Sequence, residues 1–396
     1  MEIYDERKKY YNILVGFLSS LFLFFAIFMP ADNLNFKKIL FAVLIFLGIN
    51  IILTNLLNNK YGFLAFMALI FPVFFILLSY FLGNNIRTAI QIGYPGLYLV
   101  LFFLFLDEEL CYTKVFINLL KVLAVFIVIC GALHYIRALS IYNNIILQYL
   151  YSTENAMVGD AGNTSFGLMI FIKSSSLLII LLGYSLSCGD YKWIIISSVA
   201  LFFSGTRANV FGMALLLIIW LFLWKPEKNK MKIVRWFLLV LFILLFIIVI
   251  KSFILYIQAI FIKRSGNDLT RLNYFYDVYE LIRRNPSSLI LGTGFGSDIY
   301  ISRYNKFSNI IEASYLDMFR QIGIIGMSFF SYFLIKPIQK INRYFWIVFS
   351  YIIYLIIAST NPLLYTSTAY IGYIYIYLIT NENYQEKNIR YRIKLK

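Results

Sequence analysis

Apolar runs of about twenty residues recur along this chain, separated by short polar stretches, and a run of that length is what an α-helix needs to cross the hydrocarbon core of a bilayer. The weaker alternating pattern of a membrane barrel is absent. Hydropathy places about twelve spans, roughly at 11–29, 37–57, 61–82, 88–106, 115–133, 164–187, 191–204, 207–224, 233–258, 313–335, 344–358 and 363–380. The expected fold class is therefore all-α: a polytopic integral membrane protein, one transmembrane domain over residues 1–396. Composition agrees, because a chain 61% hydrophobic and 14% charged would expose large apolar patches as a soluble domain. The first span follows Glu-Arg-Lys-Lys, is too long for a signal-peptide core and lacks a small-residue cleavage site, so it reads as a permanent helix.

The net charge of +16 points to nucleic acid in a soluble protein, but in a membrane protein it first reports topology. Starting inside, alternate segments collect Arg7, Lys8 and Lys9, then Lys60, Lys114, Lys192, the cluster Lys225 to Arg235, then Lys336, Lys340 and Arg343, and finally the basic tail from Lys387. The opposite short loops hold Lys37, Lys38, Arg87, Arg137 and Arg207. Both termini are thus expected in the cytoplasm, with a smaller loop over 134–163 and a large one over 263–312, between spans nine and ten, on the outer face. No nucleic-acid partner is implied. Cys111, Cys130 and Cys188 lie in or beside spans away from that face and imply no disulfide framework. His134 alone cannot build a metal site.

The large loop is where the polarity concentrates. Asp268 precedes an apolar periodicity at Leu272, Phe275, Tyr279 and Ile282 that stops at Asn285-Pro286, which predicts a capped helix near 269–284. Arg271 falls in its first turn, where a helix N-terminus and a guanidinium together suit a phosphate; pairing with Asp268 or with lipid headgroups is the plainer alternative. In Leu-Ile-Leu-Gly-Thr-Gly-Phe-Gly-Ser, the alternating Gly292, Gly294 and Gly296 permit positive φ and close approach of a ligand, or simply a tight turn. The Lys-Ser/Thr of a nucleotide loop is missing. Glu312, three positions after Asn309, is either a capping partner or a carboxylate able to accept a hydroxyl proton. Asp317 and Arg320 stand inside span ten, where ionisable groups either serve function or pair with each other. At Ser-Gly-Thr-Arg-Ala-Asn, Arg207 opens span eight at the outer boundary with Ser204 as a cap; there it either binds an anion or snorkels to headgroups.

The order and spacing of these pieces carry a resemblance. The Ser-Gly-Thr-Arg-Ala-Asn junction, R-x6-R-x3-F from Arg264 to Phe275, N-P-x3-I-L-G-T-G-F-G, and a span opening E-A-S-Y-L-D-x3-Q-I-G-I-I-G resemble the O-antigen polymerase and ligase superfamily of bacterial envelopes over nearly the whole chain. The resemblance implies a metal-independent glycosyltransferase without cofactor. It would act at the outer face of the bacterial inner membrane on an undecaprenyl-diphosphate-linked oligosaccharide, making O-antigen or a related surface polysaccharide. Arg207 and Arg271 would hold the diphosphate, with Arg264 a third and Gly294, Gly296, Ser314 and Arg320 beside the substrate. Where the ligase branch carries a histidine, this chain reads Glu312-Ala313-Ser314, which favours the polymerase branch and leaves the general base open, with Glu312 able to assist in orienting the acceptor hydroxyl. A chain-length regulator and a flippase are the implied partners besides membrane lipid. The rival readings are an O-antigen ligase or a transporter of the same lipid-linked sugar, the latter expected to show repeats and broken midplane helices.

Overall fold

The computed structural model describes residues 2–31, 35–107, 110–160, 168–223, 236, 240, 266–359 and 362–381. Five helices follow in order: α1 (Glu2–Phe28), α2 (Phe36–Leu56), α3 (Asn59–Phe81), α4 (Ile86–Phe105) and α5 (Tyr112–Tyr135). After the short α6 (Ile145–Ser152) come strands β1 (Ala156–Asp160) and β2 (Leu168–Ile172). Then follow α7 (Ser175–Cys188), α8 (Tyr191–Phe203), α9 (Arg207–Leu223), α10 (Gly266–Arg284), α11 (Ser288–Leu291), β3 (Ile299–Ile301), β4 (Lys306–Ser308), α12 (Ser314–Ile335), α13 (Phe345–Ala358) and α14 (Ser367–Thr380).

Among the described residues, six helices are long and apolar enough to cross a membrane, and four shorter apolar ones accompany them. The protein is a multi-pass helical membrane protein. The ninth expected span, 233–258, and the basic cluster before it lie outside the described residues save Trp236 and Val240.

The sixth expected span is corrected. Its first part is not helical: Leu168–Ile172 pairs antiparallel with Ala156–Asp160, Ala156 opposite Ile172. Leu-Met-Ile-Phe-Ile is rich in β-formers, and Lys173 and Ser174 separate it from α7. A second hairpin joins Ile299–Ile301 to Lys306–Ser308.

Helix α14 is the hub. Every one of its residues is buried, as an all-round apolar helix demands. Two of its tyrosines keep their hydroxyls on main-chain carbonyls: Tyr377 donates to Phe333 O at 2.6 Å and Tyr373 to Leu364 O at 2.9 Å. Helix α2 is the opposite case, with Phe46 78% exposed on a face suited to lipid.

The loops sort into two ends. At one, Lys37 Nζ donates to Pro30 O and Ser367 Oγ, Ala31 N to Asn155 Oδ1, and Asn84 Nδ2 to Thr293 O. At the other, Asn381 Nδ2 donates to the Tyr61 hydroxyl, and Lys336 lies over the Phe63 ring. The segments expected to share the outer side gather at the first end.

Candidate functional site

Helix α12 builds one wall of that end, and it is broken. Gly323 adopts φ 63°, so the carbonyls before it lose their helical partners. The glycine loop supplies replacements: Thr293 N donates to Arg320 O at 2.9 Å and Gly294 N to Gln321 O at 3.0 Å. Two glycines stand back to back at this seam. A side chain at Gly292, φ 81°, would begin 2.3 Å from the Gln321 carbonyl oxygen.

Of the two expectations for the glycines, close approach of a ligand or a tight turn, the structure shows positive-φ turns that let other parts of the chain approach. Side chains at Gly294 and Gly296 would meet Ser79 and Asn84, and Thr88 and Ala89, at under 3 Å. Both positions are filled by the protein itself, which corrects their assignment to the substrate.

Arg320 is corrected in the same way. Its guanidinium has five N–H donors, and each has an acceptor. Nη1 donates to Ser297 O at 2.7 Å and Ser297 Oγ at 2.8 Å, and Nη2 to Asn309 O at 3.0 Å and Asp317 Oδ1 at 2.7 Å. Nε also donates to Asp317 Oδ1, at 3.2 Å. Gln321 Nε2 takes the other carboxylate oxygen at 2.9 Å, while Gln321 Oε1 accepts from Gly296 N at 3.2 Å. Arg320 is 1% exposed and clamps the large loop to α12, leaving no donor for a ligand.

Beside this clamp lies a cavity of about 250 Å³. The segment after α1 (Pro30, Ala31), α4 (Gln91 to Pro95), the start of α12 (Ser314, Asp317, Gln321) and the segment Pro362 to Ser367 wall it. Ser314 Oγ accepts from Leu363 N at 3.2 Å, joining two of those walls. Glu312 is exposed just ahead of α12, which begins at Ser314 with Ala313 as its N-cap residue. The expected Asn309–Glu312 capping pair is therefore not formed; Asn309 instead gives its carbonyl to Arg320.

Arg207 opens α9 and is exposed. Ser204 does not cap that helix; it ends α8, and Thr206 Oγ1 stands at the cap, 3.4 Å from Asn209 N. Gly205, φ 68°, packs on Leu168 and Met169, so the junction rests on β2. One turn and more inward, Gly212 meets Ile353 and Ile357 of α13, which sets Arg207 level with the end of α13 that leads to Pro362 at the cavity.

The expected helix over 269–284 is α10, ending at Arg284 before Asn285-Pro286, but it starts at Gly266, so Asp268 lies inside the first turn. Further along the same helix, Tyr274 and Val278 pack against Ile299, Ile301 and Ile311. Only the backbone of Arg271 is described, and Arg264 lies outside the described residues.

Three groups escaped sequence reasoning. Lys37, 0% exposed, binds Ser367; a lysine in the first turn of a span is the signal that marks it. Gln91 lines the cavity and had no signal at all. Arg303, in the β3–β4 turn, has a buried Nη1 with no hydrogen-bond partner among the described residues. No three His, Cys, Asp or Glu side chains among those residues gather as a metal site.

The clamped loop, the cavity beside it and the exposed Glu312 ahead of α12 thus lie around the start of one helix. Residues 193–331 match the family model described as O-antigen ligase, a stretch that spans the Arg207 junction, the large loop and most of α12. This match places residues 193–331 in the O-antigen ligase and polymerase superfamily. Comparison with curated proteins and with solved structures gave no match.

Proposed function

We propose that this protein polymerises undecaprenyl-diphosphate-linked oligosaccharide repeat units at the outer face of the inner membrane, with both termini in the cytoplasm. The observation that carries the reading is Glu312: an exposed carboxylate, with no hydrogen bond or ion pair to a described residue, standing at the entry of the helix that walls the cavity. Its release from a capping role leaves it the chemistry of a general base.

The step balances simply. An acceptor hydroxyl oxygen attacks the anomeric carbon of the donor sugar, the bond from that carbon to the diphosphate oxygen breaks, and the hydroxyl proton passes to Glu312. The leaving diphosphate keeps the electron pair, and Arg207 and Arg271 neutralise it without proton transfer. A glycosyl diphosphate is already activated, so orientation and charge stabilisation are what remain for the protein to supply.

The ligase reading keeps the same donor and changes the acceptor. The carboxylate, where that branch carries histidine, favours the polymerase. The transporter reading draws on the break at Gly323, since broken helices line transport sites. Here, however, the freed carbonyls of Arg320 and Gln321 are taken by the glycine loop, which leaves the break closed to a passing solute.

Deletion of the gene separates the readings. Loss of a polymerase leaves single repeat units on the final acceptor; loss of a ligase leaves polymer on the lipid carrier; loss of a flippase leaves single repeats on the cytoplasmic side.

A further inference from the structure

The polar groups around the cavity are of two kinds. Asp317 and Gln321 are spent on Arg320, on each other and on the glycine loop, and Thr366 Oγ1 donates to Leu363 O and accepts from Ala369 N. Gln91 and Ser367 are not spent. The Gln91 amide is exposed in the wall and makes no hydrogen bond to a described residue. Ser367 is 5% exposed, and its oxygen accepts from Lys37 Nζ at 2.9 Å. An ammonium has only donors, so the hydroxyl proton must go elsewhere, and no described residue accepts it. A donor left unmet inside a protein is destabilising, which makes its retention informative.

One fixed hydroxyl donor and one amide that both donates and accepts therefore border the same space, between Ile92, Tyr94, Leu364 and Tyr365. At about 250 Å³ the space is smaller than the pockets of about 300–1,000 Å³ that take drug-sized ligands, so it has room for one ring and not for a whole repeat unit. The unspent groups are neutral, and the one carboxylate in the wall is matched by Arg320. This chemistry suits uncharged hydroxyls.

We propose that the cavity is the subsite for one sugar ring of the lipid-linked glycan, read by the Gln91 amide and by the Ser367 hydroxyl that Lys37 orients. This rests on the polymerase reading and adds a binding position to it.

Two measurements on the purified full-length protein in lipid nanodiscs test it. In steady-state polymerisation of the undecaprenyl-diphosphate-linked repeat unit, Gln91→Ala and Ser367→Ala each raise KM about three- to tenfold and leave kcat within about twofold. Ser367→Thr, which keeps the hydroxyl, restores KM; a fall in kcat with unchanged KM overturns the proposal. In the second measurement Gln91→Cys, with Cys111, Cys130 and Cys188 changed to Ser, is alkylated with a maleimide. The glycan-bearing lipid slows alkylation about fivefold or more, sugar-free undecaprenyl diphosphate does not, and Asn58→Cys at the opposite end is unaffected.

Equal protection by the sugar-free carrier overturns the proposal, because the cavity then holds the lipid head. Absence of protection by either lipid, with wild-type polymer ladders intact, overturns it and leaves the polymerase reading standing. Protection by the glycan-bearing lipid alone, in a protein that makes no ladder, supports the sugar subsite and removes the polymerase reading.

Discussion

Two polar regions stand side by side at one end of this bundle, and they differ in what is left over. Around Arg320, every guanidinium donor has an acceptor, and both carboxylate oxygens of Asp317 are occupied. In the cavity wall and just ahead of α12, Gln91, the Ser367 proton and Glu312 have no partner among the described residues. The difference teaches that polar residues at this end of the bundle are not one class. Those whose hydrogen bonds are all met hold the fold, and those left short are the ones with chemistry to offer.

The comparison breaks most directly at Arg320. Its replacement by Met strands the Asp317 carboxylate, and removing one partner of a buried pair costs about 3–5 kcal/mol, a large share of the about 5–15 kcal/mol that keeps a typical protein folded. The expected outcome is low yield and a lower thermal midpoint in detergent, with activity lost only because folded protein is lost. Arg320→Met combined with Asp317→Leu recovers part of the stability, since the stranded charge is then gone. A stable, inactive Arg320→Met protein would move Arg320 into the substrate site.

Arg207→Ala and Arg271→Ala are expected to do the reverse. Each lost contact to the diphosphate costs about 2–4 kcal/mol in the transition state, or roughly thirty- to nine-hundred-fold in rate, with the thermal midpoint unchanged. Lysine at either position rescues poorly, because a point charge does not reproduce a bidentate fork. Single-turnover rates beside melting curves check this.

The seam between loop and helix gives a smaller effect. Gly292→Ala forces a Cβ to within 2.3 Å of the Gln321 carbonyl oxygen in a backbone at φ 81°. Strain of this kind costs about 1–3 kcal/mol, so the midpoint drops less than for Arg320→Met and turnover per folded molecule falls modestly. Full stability in that variant would mean the loop does not dock on α12.

Much of the scaffold was legible because hydropathy and alternating charge act over whole helices. Most of the expected spans, among them those at 37–57, 115–133 and 344–358, meet helices within three residues of their ends. The strand at Leu168–Ile172 was not legible, since an apolar run of that length fits helix or strand until its partner is known. Pairing was the harder part. A resemblance by motif places Arg320 and the glycines in a functional block, yet only the folded chain reveals that Ser297, Asn309 and Gln321 consume them. Gln91 and Lys37 lie more than 170 residues before the large loop and meet the site only through packing.

The central claim is that Glu312 and Arg207 act on the substrate while Arg320 acts on the fold. The most direct measurement incubates purified wild-type, Glu312→Gln, Arg207→Ala and Arg320→Met proteins with the undecaprenyl-diphosphate-linked repeat unit, and records polymer length together with the thermal midpoint of each. The account predicts ladders from the wild type, unextended repeat units from Glu312→Gln and Arg207→Ala at an unchanged midpoint, and a lowered midpoint for Arg320→Met alone. Normal ladders from both Glu312→Gln and Arg207→Ala would contradict it.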